Sequence, residues 1–304
     1  MSPQPRSRVL APFAVLSRGL ARAVTRRPNA YEQRALAEIQ AWKNPGRTFL
    51  GDVGAIVNAP GKLLSAILFN NPLGDLLGSA FKGIIGVLND GASHTVSPEA
   101  VLRRYRQAGH RVQDLRHLHR LPLDALDTAS AHLRSRYMAV ATAEGIATGA
   151  AGGPLLAADV VALIALNLRA INETATFYGF DIQDPDEQVF ATQVLLLASS
   201  PDAASKTATL SKLHQIAVAV AKRRTWRQLE GMALVPIFQE AAKALGTRLT
   251  KAKLAQVVPV AGAAIGGGYN AHFTGKVTLA ARHLYRERHL ARQLSDAVLV
   301  QPAS

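Results

Sequence analysis

Asp159 stands alone as an acid inside a long apolar run, GGPLLAADVVALIALNLRAI, over residues 152–171. It lies five residues past Pro154, too far into a helix to be stabilised by the N-terminal dipole. A carboxylate buried there must be paired, hydrogen-bonded or protonated. Arg169 is ten residues on, beyond the reach of a same-helix pair. A partner from another segment is therefore expected, with Asn270, His272, Lys62 and Lys82 as the candidates. Asp159 is read as a buried polar staple ahead of a catalytic acid, since ion-pair and hydrogen-bond networks of this kind are often purely structural.

Little else in the chain has the spacing of a reactive site. The absence of cysteine removes thiolate nucleophiles, disulfides and Cys-based metal centres. His117 and His119 are two apart and would face different sides of a helix, while His283 and His289 lie six apart around Glu287. With His110 they sit among arginines, so these histidines are expected to add to a basic surface. No nucleophile elbow, Walker A loop or His-Glu-x-x-His pattern occurs. The stretch Gly262-x3-Gly266-Gly267-Gly268 lacks the Lys-Ser/Thr of a phosphate loop and follows an apolar helix rather than a strand. No catalytic residue, cofactor or metal site is assigned.

Charge is the stronger functional signal. The 304 residues carry a formal net charge of +14, with 48% hydrophobic and only 18% charged residues. Such a field favours anionic partners, nucleic acid or phospholipid headgroups. The segment Leu102–Arg120, read as one helix that Pro122 ends, holds six arginines against one aspartate. Arg103, Arg104, Arg106, Arg111, Arg116 and Arg120 cannot share one face, so the helix is expected to be basic nearly all round. Lys222, Arg223 and Arg224 form a second cluster beside Trp226. Aromatics make up 6% of the chain and no reading helix is evident, which ranks lipid phosphate ahead of nucleic acid as the partner. A solvated charged face is the plain alternative.

The elements that must position these residues are helices. No run alternates as strands do, and breakers fall at helix-sized spacings. Residues 1–30, with six arginines and no acid, read as a basic amphipathic or disordered extension. Residues 31–295 read as one helical domain and 296–304 as a loose tail. Ser97 before Pro98, and Asp184 before Pro185, read as helix N-caps, with Glu187 placed to close a capping box. Gly179 reads as a C-cap. The apolar helix after Pro154 is expected to end in a polar turn at Asn167 and Arg169, Pro236 and Gly246 to interrupt and end a later helix, and Lys276–Leu294 to close the fold. No stretch reads as an uninterrupted membrane span of about 20 apolar residues.

Gly145, Gly149 and Gly153 recur every four residues, as do Gly262 and Gly266. Residues four apart stack on one helix face. Each glycine costs ~0.5–1 kcal/mol of helix propensity against alanine, a cost that close backbone approach offsets. The fold class expected is all-α, a single multi-helix bundle with these two glycine-zipper helices paired at its centre.

Three blocks resemble a known family. GGPLLAADVVALIALNLRAI followed by YGFD and DPDEQ, the segment Lys253–Arg288, and Tyr31–Lys43 are similar in order and spacing to the EcsC family of bacterial proteins. Together they frame residues 31–290. The family is named for a companion of an ABC transporter, and the resemblance implies a helical, membrane-associated protein with no established catalytic residues. The function expected is non-catalytic and peripheral. The protein would bind anionic phospholipid at the inner face of the cytoplasmic membrane, with an ABC transporter or other membrane machinery as a partner. A hydrolase of unrecognised class acting on lipid or peptide, and a nucleic-acid-binding protein, are the alternatives.

Overall fold

The computed structural model describes residues 27–43, 80, 82–84, 86, 87, 96–151, 156–200, 205–213, 234–254 and 262–299. All regular structure among the described residues is helical. The principal helices are α1 (Ala30–Lys43), α2 (Pro98–Gln107), α3 (Leu115–Leu118), α4 (Leu123–Ser130), α5 (Leu133–Ala151), α6 (Leu156–Phe177), α7 (Pro185–Ala198), α8 (Leu234–Leu254) and α9 (Gly262–Leu299). They form a multi-helix bundle. α9 and α5 share the most extensive contact, and α6 lies against α5, α7, α8 and α9. The core is built from side chains such as Leu126 on α4, Leu163, Ile164 and Ile171 on α6, and Tyr285 on α9, all essentially inaccessible.

Local chemistry sets several of the helix ends. Ser97 Oγ accepts from Ala100 N at 3.3 Å, and Asp184 caps α7 through Asp186 N at 3.0 Å. At the start of α1, Asn29 and Glu32 exchange two hydrogen bonds of 2.9 Å, a reciprocal capping box. α6 ends where Gly179 takes φ +83. There Phe180 N–H reaches Ala175 O and Gly179 N–H reaches Thr176 O, each at 3.0 Å. That is the Schellman arrangement, and the left-handed residue it needs is most often glycine.

Several boundaries differ from those the sequence suggests. The basic segment 102–120 is not one helix. α2 stops at Gln107, Gly109 turns the chain at φ +88, and α3 restarts under an Asp114–His117 capping box. Asn167 is no turn either, because its Nδ2 donates to Leu163 O at 2.7 Å within α6, and the helix runs on to Phe177. Glu187 does not cap α7, since its carboxylate is held by Arg288 of α9. Pro236 fits the first turn of α8, where no helical hydrogen bond is lost. Gly246 lies inside the same helix, where Ile84 packs over it. α9 begins at Gly262 rather than Lys276.

Among the described residues one helix is long and apolar enough to cross a membrane, over Ala157–Phe177, against the expectation of none. Within this fold 67% of that window is buried by the surrounding protein, and it carries buried Asn167 and Asn172.

Gly145 is buried on α5. Gly149, Gly262 and Gly266 are described only as helical backbone, and Gly153 lies outside the described residues. Among the glycines whose surroundings are described, Gly267 brings α9 close to α5. A Cβ on Gly267 would sit 2.9 Å from Ile146 Cγ1 and 3.1 Å from Thr142 O, whereas one on Gly268 would meet nothing within 4 Å. Gly268→Ala is therefore expected to stabilise the protein by ~0.5–1 kcal/mol through helix propensity. Gly267→Leu is expected to destabilise it by more than ~1 kcal/mol through overpacking. Urea unfolding of the two variants measures both, and a Gly267→Leu protein as stable as the parent would refute the close contact.

Candidate functional site

Asp127 occupies the core stripe of α4, in register with Leu123, Leu126 and Ser130, yet it is a carboxylate only 3% exposed. Burial of such a charge is stable only with full hydrogen bonding and a counter-charge. Four side chains supply them. Tyr31 Oη donates to Oδ2 at 2.7 Å from α1, and Tyr178 Oη donates to Oδ1 from the end of α6. From α9, Arg286 Nη2 lies 2.9 Å from Oδ2 and Arg282 Nη2 lies 3.6 Å from it. Arg286 also donates through Nη1 to Glu38 Oε2 at 2.8 Å, which helps hold the Glu38 carboxyl below its ordinary range. Burial, and then the Asp127 charge, push the Tyr178 hydroxyl well up, so it stays a protonated donor. Asp127 is thus a saturated acceptor joining α1, α4, α6 and α9. A general base must reach the proton it removes, and this one is enclosed.

A second ion pair sits further along α9. Arg288 grips Glu187 through both terminal nitrogens, one at 2.7 Å. Its guanidinium lies 4.1 Å from the ring centre of Phe180 and 4.2 Å from that of Phe190, a desolvated cation between aromatic faces. The histidines around these pairs do not add to a basic surface as expected. Burial first, then nearby arginines, hold His119 down to about 3 and His283 down to about 4. His289 is also held down to about 4, by burial first, with the Leu121 carbonyl acting in the opposite direction. All three are neutral at physiological pH. His283 stacks on Trp42 at 5.1 Å, and the His289 Nε2–Leu121 O distance is 3.1 Å.

Beside the Asp127 network opens a cleft of about 500 Å³. Arg134 and Arg282 line it with the hydroxyl residues Ser130, Thr174 and Thr278, and Leu133 and Met138 give it an apolar wall. It lies where α4, α5, α6 and α9 converge.

The predicted surface residues are placed as follows. Arg103, Arg104, Arg106, Arg111, Arg116 and Arg120 are all exposed. Arg106 pairs with Glu99, Arg116 lies 3.6 Å from Asp114, and Arg104 meets His132 Nε2 at 3.1 Å. Lys222, Arg223 and Arg224 lie outside the described residues. Asp159 is buried, and one of its partners lies outside the sequence candidates. Thr148 of α5 donates to its Oδ1 at 2.8 Å, and burial together with Asp159 raises the Tyr269 hydroxyl. Asp127, Arg282 and Arg286 were not singled out by sequence. The signals were present: an acid at a core position of the LDALDTAS stripe, and two arginines four apart on a closing helix.

The model of the EcsC protein family matches residues 33–290. Uncharacterized protein YdbA of Bacillus subtilis (strain 168) is 25% identical over 224 residues, covering 72% of this chain and 79% of its own length. Protein EcsC of the same organism is 31% identical over 154 residues, 51% of this chain and 59% of its own length. No solved structure matches the chain.

The neutral histidines give the fold a defined pH response. Their folded-state values lie below the unfolded value near 6.5, so the unfolded chain binds more protons as pH falls. Their contribution to stability is complete above about pH 6.5 and is lost as pH falls toward about 4. For fully buried His289 the loss is on the order of 3 kcal/mol. Unfolding free energies measured between pH 7.5 and 4.5 should decline with falling pH, and less steeply in His289→Gln. A profile that is flat, or equally steep in the variant, would contradict the buried neutral imidazole.

Proposed function

The chain belongs to the EcsC protein family, and from that premise we propose that it is a non-catalytic, peripheral membrane protein. Exposed arginines hold it on the anionic lipid of the inner face of the cytoplasmic membrane. There it supports a transporter or other membrane machinery, the role implied by its resemblance to a transporter companion. The observation that carries this reading is the surface of α2, α3 and the turns that follow each of them. All six predicted arginines on it are exposed, and Arg103, Arg111 and Arg120 have no carboxylate partner among the described residues. Unpaired guanidinium groups on a short, turned segment suit contact with a plane of phosphates, each contributing ~1 kcal/mol near such a surface. A glycine zipper through Gly145, Gly149, Gly153, Gly262 and Gly266 belongs to the same proposal, as the rigid pairing of α5 with α9 behind that surface.

The test is flotation of the full chain with phosphatidylglycerol vesicles against phosphatidylcholine vesicles, at low and high salt. The anionic vesicles alone should carry the protein, and salt should release it. Replacing Arg103, Arg111 and Arg120 together by glutamine removes about 3 kcal/mol, so partitioning should fall on the order of 100-fold. Equal binding to neutral vesicles, or a triple variant that floats unchanged, would overturn the reading. Displacement by equimolar DNA would favour nucleic acid.

A further inference from the structure

The cleft between α4, α5, α6 and α9 has a chemistry of its own, independent of the basic surface on α2 and α3. Of its two cations, Arg134 is not neutralised and Arg282 is only loosely engaged. Of the carboxylates beside it, Glu173 is taken by Arg136 and Tyr137. Asp127 is taken by Tyr31, Tyr178 and Arg286. Arg134 has no carboxylate partner among the described residues. Arg282 is 43% exposed, reaches Asp127 only at 3.6 Å, and keeps a buried Nε without a hydrogen-bond partner. α9 carries a glycine where Arg134 crosses it. A Cβ on Gly275 would lie 3.1 Å from Met138 Sδ and 3.7 Å from Arg134 Nη2.

The deep side of the cleft is the reverse of the rim. Ser130, Thr174 and Thr278 are buried, and each has already spent its proton on its own helix. Ser130 Oγ donates to Leu126 O, Thr174 Oγ1 to Ala170 O and Thr278 Oγ1 to Thr274 O, each at 2.8 Å. A hydroxyl so committed offers only lone pairs to a ligand. The cleft therefore presents donors with positive charge at its rim and acceptors at its base. Its volume falls within the ~300–1,000 Å³ typical of small-molecule sites.

A bare phosphate would satisfy only the rim. We infer that the cleft binds a phosphorylated polyol, its phosphate held by Arg134 and Arg282 and its hydroxyls donating to Ser130, Thr174 and Thr278. Leu133 and Met138 cover the carbon chain. Guanidinium groups are suited to phosphate through paired, charge-assisted hydrogen bonds. A site built to accept a ligand hydroxyl discriminates strongly against ligands that lack it. The phosphorylated polyol is either a glycerophospholipid headgroup or a soluble sugar or glycerol phosphate.

Titration calorimetry of the full chain at low salt, with glycerol 3-phosphate, inorganic phosphate and glycerol as probes, tests this. Glycerol 3-phosphate should bind at least about tenfold more tightly than phosphate, and glycerol should not bind measurably. Arg134→Gln, at an exposed position that leaves the core untouched, should weaken both anions about tenfold. Thr278→Val should reduce glycerol 3-phosphate to the level of phosphate while leaving phosphate itself unchanged. Arg103→Gln, outside the cleft, should change neither. Equal affinity for the two anions, no binding of glycerol 3-phosphate, or insensitivity to Arg134→Gln would overturn the inference. Competition with phosphatidylglycerol vesicles separates the sources. Displacement of glycerol 3-phosphate assigns the lipid headgroup, and retention assigns the soluble compound. Because the calorimetric arm contains no membrane, the cleft stands or falls separately from vesicle flotation.

Discussion

The fold depends on one buried carboxylate. Asp127 draws a tyrosine from α1, a tyrosine from the end of α6 and a guanidinium from α9 onto a short helix that would otherwise be an ordinary amphipathic connector. Each donor is needed because an ionised group in the interior is tolerated only when its lone pairs are filled. A well-packed apolar substitute for a buried ion pair is often as stable, while removal of one partner alone is severely destabilising. Four helices therefore meet at one point.

α9 is the element that turns this point into an architecture. Over 38 residues it carries Arg282 and Arg286 to Asp127, Arg288 to Glu187, and His289 to the Leu121 carbonyl. Polar residues on one helix thus face inward and reach three separate parts of the chain. The same burial that strengthens these pairs strips the histidines of their protons at neutral pH. The helix's other end is small-sided where it lies on α5, with Gly267 against Thr142 and Gly275 under Met138 and Arg134. The cleft lies between these two regimes, and its incompletely neutralised positive charge follows from Asp127 and Glu173 being committed elsewhere.

Features governed by neighbours in sequence were legible in advance. Ser97, Asp184 with Pro185, and Gly179 mark helix ends through their own side chains or their own backbone freedom, and the helices end there. The all-helical class and the burial of Asp159 followed from composition and periodicity. Features set by distant residues were not legible. Gly109 and Gly246 are the same residue type, yet one turns the chain at positive φ while the other sits within a helix because Ile84 packs on it. Asn167 reads as a polar break, but its side chain is satisfied by its own helix. The histidines look like surface cations because they neighbour arginines in sequence, and only the packing of α9 against the loop after α3 and against α1 buries them. The six arginines of 102–120 are exposed, and the paired arginines of α9 were passed over because their carboxylate partners lie far away in sequence.

The most direct measurement is a double-mutant cycle on Asp127 and Arg286, using Asp127→Leu, Arg286→Met and the double variant, with unfolding free energies from urea titrations at pH 7.5. If the buried pair organises the bundle, each single substitution takes the main partner from a buried charge, leaving Arg286 to Glu38 alone or Asp127 to two tyrosines and the more distant Arg282, and costs up to ~3–5 kcal/mol. The double variant should then cost no more than either single one, a coupling of at least ~2 kcal/mol. Single losses that add to within ~0.5 kcal/mol would show that the two groups do not depend on each other, and the account of Asp127 as the organising contact would be wrong.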